Sequence, residues 1–447
     1  MSSYTNKSFW LESIGEMQPN ESLSGNVKAD VCIIGAGFTG LSTAIHLKEK
    51  DPTLEVTILE KGVAGIGASG RNAGFSMRLF GVTMDLTKFR HGGKKTKEAD
   101  DYMLDAVNYL EDMIEKYNIN CDYVHEGMMT IASNPQELKN LKKEYEIATS
   151  LGMKGFKWLD EKETKQLVHS PTYLAARYDE HCALLHPAKL ARGLAQVAKK
   201  LGVKIYENSE VVQVNHKEKT IETKHGKVSS NQIVYATNAY SSAFKKLKRK
   251  QVPIYTYITL TEQLTDEQIK LLNWDRRIGI EDARNFLHYY RLTPDNRILL
   301  GGSEALYYYG SPLQKDKNED MNLLLQNQVK TIFPQLGDIK FTHHWGGPIS
   351  ASLDLIPAIG KAGSDIWYSL GCMGHGVSLS NYNGLTITEL LSGEKTKRTD
   401  FFAVNRRIVP IPPEPFKYVT ISAIRAFLRF EDKKGVKQAN KEKNKVE

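Results

Sequence analysis

Three glycines, Gly35, Gly37 and Gly40, follow directly on the apolar run Val31 to Ile34, and an acid, Glu60, stands about twenty residues beyond them. In this spacing each glycine has a separate task. Gly35 allows a tight turn out of a strand, Gly37 lets the main chain approach a pyrophosphate, and Gly40 lets a helix lie close to the sheet. Ala36, Phe38 and Thr39 fill the positions between them, so their N–H groups open a helix where free donors and the helix dipole favour an anion. Glu60 is then the carboxylate for ribose hydroxyls, with Lys61 beside it. The elements that must hold these groups are a strand over Val31 to Ile34, a helix with Leu41, Ala44, Ile45 and Leu47 on its apolar face, and a second strand over Glu55 to Glu60. This is a complete βαβ unit for a dinucleotide.

A second glycine-dense stretch from Gly65 to Gly74 decides between two dinucleotides. Gly67, Ala68 and Gly74 leave room for a ligand, and Ser69, Arg71 and Asn72 supply donors. NAD needs no such loop directly after the ribose acid. FAD, which continues past the pyrophosphate into a ribityl chain and a tricyclic ring, does.

The segment Gly67 to Gly74 (GASGRNAG), the strand end Ala236-Thr237-Asn238-Ala239 and the late loop Gly371-Cys372-Met373-Gly374-His375-Gly376 resemble the FAD-dependent D-amino-acid oxidase superfamily. Within it the chain is similar to amine oxidases of the γ-glutamylputrescine oxidoreductase type. The resemblance runs from about Ser8 to about Arg429 and includes Trp345-Gly346-Gly347 and the stretch from Arg406 to Pro415. It implies that Ala236, Thr237, Asn238, Gly371, Gly374, His375 and Gly376 meet the cofactor and that the main chain at Val211 meets adenine. It also implies non-covalent FAD, since the stretch beginning Trp345-Gly346-Gly347 has glycine where sarcosine oxidases carry a tethering cysteine. Those enzymes clamp the substrate carboxylate with a lysine, and the matching position here is Ser378. An amine with a remote or absent carboxylate is therefore expected, although Arg78 or Arg291 could supply a substitute clamp.

The flavin carries the electrons, so no Ser-His-Asp or metal constellation is demanded. Tyr289, Arg291 and Trp345 are the candidates for the substrate pocket. His375 belongs at the flavin edge, holding loop geometry. His343 and His344 are adjacent on a strand and point to opposite faces, so no metal is expected.

With 447 residues the chain exceeds what one hydrophobic core usually reaches. The fold class expected is α/β plus α+β: a Rossmann-like FAD domain of the glutathione-reductase type (28–95, 183–248 and 345–400) interleaved with an antiparallel-sheet substrate domain (96–182 and 249–344). A tail, 401–447, carries an amphipathic helix. Further expected elements are a helix over Glu98 to Tyr117, strands over Tyr255 to Thr261, Phe286 to Leu292 and Arg297 to Gly301, and a helix from Asn318 to Ile332. No apolar run is long enough to span a bilayer, and MSSYTNKSFWLES has neither a basic nor an apolar leader region, which predicts a cytoplasmic enzyme. Four scattered cysteines read as reduced thiols.

The net charge of +8 is confined to short lysine runs without interleaved aromatics, so no nucleic-acid partner is expected. Lys245 to Lys250 reads as a solvated helix face. Tyr418 to Phe430, followed by the lysine-rich end to Lys445, reads as a helix packed on the body of the enzyme, with peripheral contact to an anionic membrane as the other reading. The function expected is oxidative deamination of a small-molecule amine by hydride transfer to FAD, with oxygen as acceptor and a γ-glutamylputrescine-like substrate. The alternatives are a glycine, sarcosine or D-amino-acid oxidase or dehydrogenase and, from another class, a non-catalytic flavin-binding subunit.

Overall fold

The structure is a computed structural model that describes residues 4–443, with side chains described as far as Lys433. The apolar runs expected to be strands do form the centre of an eight-stranded sheet. Gly25–Ile34 lies between Gly226–Tyr235 and Val56–Leu59 and is parallel to both. Lys204–Tyr206 continues the parallel run beyond Val56–Leu59, and Ile366–Leu370 does so beyond Gly226–Tyr235. Ala358–Gly363 closes that edge antiparallel, and Val211–Asn215 and Thr220–Thr223 form a hairpin off Gly226–Tyr235. Strands buried on both faces read as near-continuous apolar runs, as Val31 to Ile34 does. This sheet and its helices are a Rossmann-like α/β fold.

The helices Phe38–Lys50 and Gly376–Leu391 pack side by side on it. Ser42 Oγ donates to the Asn381 carbonyl at 2.6 Å, and Thr388 Oγ1 donates to the Thr43 carbonyl at 3.3 Å. A side chain at Gly384 would meet Ser42 Cβ at 2.6 Å, so the missing Cβ sets how closely the two helices approach. Both begin in a glycine-rich turn.

A second eight-stranded sheet takes its strands in the spatial order Phe341–Ala351, Val252–Thr261, Ile298–Leu306, His288–Leu292, Gly279–Asp282, Met128–Ala132, Ala175–Asp179 and Phe156–Leu159. All pairings are antiparallel except that of Gly279–Asp282 with Met128–Ala132. One face is sealed by Glu319–Ile332, whose Met321, Leu325, Val329 and Ile332 join Tyr255, Tyr257, Ile280 and Tyr290 in a buried cluster. The other face looks towards the first sheet. Phe341–Ala351, which carries Trp345, is hydrogen-bonded along its length to Val252–Thr261, so the boundary expected at residue 345 falls inside a strand of the second sheet.

Two expected elements differ. The helix expected from Glu98 starts earlier, at Met84, because two helical segments join at Gly92, where φ is 80° and the chain leaves helical geometry. The Lys245 to Lys250 run is a succession of turns rather than a helix: Leu247 turns into the core, and the chain must reach the strand beginning at Val252.

The tail forms the helix Phe416–Lys443 and packs on the second sheet. Arg425 and Arg429 both bind Glu304, at 2.8 and 2.5 Å, and Asp432 accepts from the Asn285 and Phe286 N–H groups. Its charged side faces inward and Phe416, Val419, Phe427 and Phe430 are exposed. The side chains of the expected basic end from Lys434 onward lie outside the described residues. No described helix is long and apolar enough to cross a membrane.

Candidate active site

The turn expected to hold the nucleotide is built almost entirely from main chain. Gly35 has φ of 105°, and a Cβ there would stand 2.8 Å from the Ala236 carbonyl oxygen. A Cβ on Gly40 would come within 2.0 Å of the Gly35 carbonyl oxygen and 3.2 Å of Ala236 Cβ, so only glycine lets this helix begin against the strand end. Gly37 precedes Phe38–Lys50 without a side-chain cap, leaving the first N–H groups open apart from Phe38, which donates to Ser69 Oγ at 3.0 Å. Thr39 is buried in the first turn.

Glu60 accepts from the Ala36 N–H and the Gly62 N–H, each at 2.9 Å. Burial pushes its pKa above the ordinary carboxylate value, against the pull of those two donors. Lys61 points outward and pairs with Glu210 at 2.7 Å. The Asn208 and Ser209 N–H groups donate to the Gly62 and Glu60 carbonyls, which brings Val211, two residues on, alongside this acid.

The loop from Gly67 to Gly74 is held from several directions. Asn72 Nδ2 donates to the Ala68 and Ser69 carbonyls, and Asn72 Oδ1 accepts from the Gly74 N–H at 2.8 Å. Gly67 lies against the ring of Tyr240. Arg71 donates to the Ile66 carbonyl and pairs with Asp316 at 2.8 Å. Trp345, buried in the second sheet, donates its Nε1–H to the Arg71 carbonyl at 2.8 Å. Arg291 is also buried, and its Nη1 donates to the carbonyls of Ala73, Gly74 and Leu185. Arg291, expected in the substrate pocket, is instead a bracket for the glycine loop. Burial without a carboxylate partner lowers its pKa to about 9.

The late loop sits between the two sheets. Gly371 and Gly374 have φ of 77° and 94°. Ser350 on the second sheet accepts the Gly371 N–H at its Oγ and the Met373 N–H at its carbonyl, which ties the loop to the roof. Asn238 donates to Cys372 Sγ at 3.2 Å, and a Cβ on Gly376 would stand 3.2 Å from that sulfur. Thr237 pairs with Ser241. His375 opens Gly376–Leu391, is buried, and has its pKa lowered to about 4 by that burial. His375 Nδ1 and Asn238 Oδ1 are buried with no hydrogen-bond partner. Buried polar atoms in native proteins are normally satisfied, so these two await a group that the protein itself does not supply.

Strand register then defines the roof. Trp345 pairs with Ile258, Ile258 with Gly301, Gly301 with Tyr289, Tyr289 with Glu281, Glu281 with Thr130 and Thr130 with Arg177. Cross-strand partners share a face. Trp345 is bonded to the glycine loop, and Tyr289 packs on Phe75 with ring centroids 6.0 Å apart, so this row faces the first sheet. Tyr289 is half-buried, and the loss of water around its hydroxyl raises its pKa to about 12. Sequence reasoning missed Glu281, Ser350 and Asp316, which carry no local motif. His343 pairs with Glu12, and His344 accepts from the Asn318 N–H, so the two histidines serve separate contacts.

A cradle of glycines at two helix starts, a buried carboxylate and two orphaned polar atoms at the second loop fit FAD: Gly35 to Gly40 and Glu60 would hold the nucleotide, and Gly67 to Gly74 and Gly371 to Gly376 the rest. Residues 30–390 match the family model DAO, described as FAD dependent oxidoreductase, and the chain belongs to that family of flavoenzymes. Gamma-glutamylputrescine oxidoreductase of Escherichia coli (strain K12) is 31% identical over 433 residues, covering 96% of this chain and 99% of the relative. Among solved structures, glycine oxidase from Geobacillus kaustophilus superposes with a TM-score of 0.71 at 18% identity, covering 85% of this chain and all of that one. L-alpha-glycerophosphate oxidase from Mycoplasma pneumoniae, solved with FAD bound, gives 0.64 at 17% identity, covering 86% and 97%. The protein is an FAD-dependent oxidoreductase acting on amines or amino acids.

Proposed function

We propose that the substrate is a primary amine whose carboxylate is remote or absent, of the γ-glutamylputrescine kind, and that oxygen reoxidises a non-covalently held FAD. One observation carries this reading: each group that could clamp an α-carboxylate beside the reacting carbon is already engaged. Ser378 Oγ donates to the Met77 carbonyl at 3.0 Å. Arg78 is held by both oxygens of Asp100, at 2.7 and 2.8 Å, and its Nη1 lies 3.7 Å from Asp179. Arg291 is committed to three carbonyls. The name of the Escherichia coli relative supports the same substrate class.

Bound FAD supplies a two-electron acceptor that takes the amine's α-hydrogen as hydride and yields the electrons to oxygen. The chain's own residues exclude water and hold the amine. Trp345, Ile258, Tyr289, Phe75 and Met77 form an apolar layer under the roof. His375 stays neutral above about pH 5, so it neither repels a substrate ammonium nor adds a charge. The ammonium loses its proton before the C–H bond breaks, the two electrons leave with the hydride, and the resulting iminium takes up water to give an aldehyde and ammonium.

The test is anaerobic bleaching of the flavin by an amine panel. Putrescine or γ-glutamylputrescine should bleach it with a higher ratio of limiting rate to dissociation constant than glycine, sarcosine or D-alanine, and the reverse order overturns the reading. Admitting air should restore the colour with formation of hydrogen peroxide. Recovery only with a quinone removes oxygen as acceptor. Acid precipitation should leave the yellow colour in the supernatant, whereas a washed yellow pellet shows a covalent link.

A further inference from the structure

The roof row holds two opposite charges that the chemistry above does not use. Glu281 is buried, and the one hydrogen bond to its carboxylate among the described residues comes from Thr130 Oγ1 at 3.0 Å. The same hydroxyl accepts from Arg177 Nη2 at 3.3 Å, so the carboxylate and the guanidinium flank one threonine without touching each other. The side chain of Arg177 is 11% exposed, and its Nε and Nη1 are buried with no hydrogen-bond partner. Its nearest carboxylate contact, Glu144, is 4.0 Å away and is itself committed to the Met84 and Asp85 N–H groups. Leaving such groups unpaired is costly.

We infer that Glu281 and Arg177, bridged by Thr130, form a subsite for a zwitterionic α-amino-acid head group: the carboxylate of the ligand meets the open N–H groups of Arg177, and its ammonium meets Glu281. The inference rests on the amine reading and deepens it, because it names what lies at the far end of the substrate. It also resolves an apparent conflict in the site. The cations near the glycine loops are engaged, which argues against an α-amino acid as the reacting group, yet Arg177, its guanidinium 5.0 Å over the Phe156 ring, keeps two nitrogens without hydrogen bonds farther out on the same face. In a γ-glutamyl amide of a diamine the two ends are separated by roughly nine bonds, about 10 Å when extended. From Glu281 that distance spans about two strand spacings along the row towards Trp345, past the Tyr289 ring that covers Gly301. Burial pushes Glu281 up to about 7, with Asp282 and Asp179 adding to the push while Arg177 and Thr130 oppose it. An incoming ammonium would favour its charged form.

The experiment uses the FAD-loaded enzyme and anaerobic bleaching by γ-glutamylputrescine and by N-acetylputrescine, which keeps the amine and the amide but lacks the head group. Wild type should bind γ-glutamylputrescine about tenfold or more tightly. In Glu281→Gln and in Arg177→Met that advantage should vanish, with the limiting bleaching rate and the constant for N-acetylputrescine kept within about threefold. Equal weakening of both substrates means a structural role and overturns the subsite, as does wild type that does not distinguish them. A second measurement needs no variant: γ-glutamylmethylamide, the head group without an oxidisable amine, should compete with γ-glutamylputrescine for wild type, and absence of competition overturns the proposal. If no amine bleaches the flavin, the amine reading falls by itself. Calorimetric binding of γ-glutamylmethylamide to wild type would still uphold the subsite, and its absence would remove both.

Discussion

At the glycine cradle the polar side chains already have partners inside the protein, whereas under the roof sheet several do not. Glu60 is fixed by two N–H donors, Asn72 closes its own loop, and Arg71 is held by Asp316. The roof carries Glu281 with one hydrogen bond and Arg177 with two nitrogens that have none. The contrast teaches how the molecule divides its work. A cofactor that stays needs a rigid cradle, and preformed donors bind it without reorganisation. A substrate that must arrive and leave meets groups whose bonds are completed only when it is present.

The sharpest way to break this contrast is to disturb the cradle. Gly40→Val places side-chain carbon within 2.0 Å of the Gly35 carbonyl oxygen, so the helix cannot start where it does. The protein should purify without flavin absorbance while the roof sheet, probed by near-ultraviolet circular dichroism of its tyrosines, persists. A yellow Gly40→Val protein would mean that the cradle is less rigid than its contacts suggest.

Next in size is stability against pH. Burial lowers both His375 and His186 to about 4 from an ordinary value of 6.5. Between those values the unfolded chain binds protons that the folded chain does not, so stability is complete above about pH 6.5 and falls as pH drops towards 4, by at most about 3 kcal/mol for each group. Thermal unfolding of the apoprotein across this window should show the decline, and His375→Asn should flatten it. An unchanged slope would mean that the imidazole is more solvated than its burial implies.

Glu60→Gln keeps the shape of the ribose carboxylate and removes its charge. FAD titration should show affinity weakened by about 1.5 to 3 kcal/mol. Retention equal to wild type would remove Glu60 from the cradle. For the substrate, an alkylamine with a pKa near 10.4 must lose its proton, so kcat/KM should rise with pH through the neutral range. A flat profile would mean that the amine binds already neutral or that another step limits the rate. Ser378→Ala should have the smallest effect: loss of one hydrogen bond to Met77, about 0.5 to 1.5 kcal/mol of stability, with KM for the amine little changed. A large rise in KM would put Ser378 on the substrate side of the comparison.

Much of the first region was legible in the chain because its parts are close in sequence. A strand, three glycines, a helix and an acid within Val31 to Glu60 report one local geometry, and the glycine loop after it reports the length of the ligand. The second region was only partly legible. Tyr289 and Trp345 were visible as aromatic residues on expected strands, but their shared row was not, since register between strands from Thr130 to Trp345 is set by long-range pairing. Arg291 shows the limit from the other side: as a cation on a strand it invited a substrate role, and only its burial against three carbonyls showed otherwise.

By itself the sequence therefore determined that the chain holds FAD and where its glycine turns lie, because steric room and short-range hydrogen bonding depend on neighbours along the chain. The tertiary structure decided which charges are free. Whether Arg78, Arg291 or Arg177 can meet a ligand depends on what each already touches, and those partners, Asp100, Leu185 and Thr130, come from distant segments that only folding brings within hydrogen-bond reach.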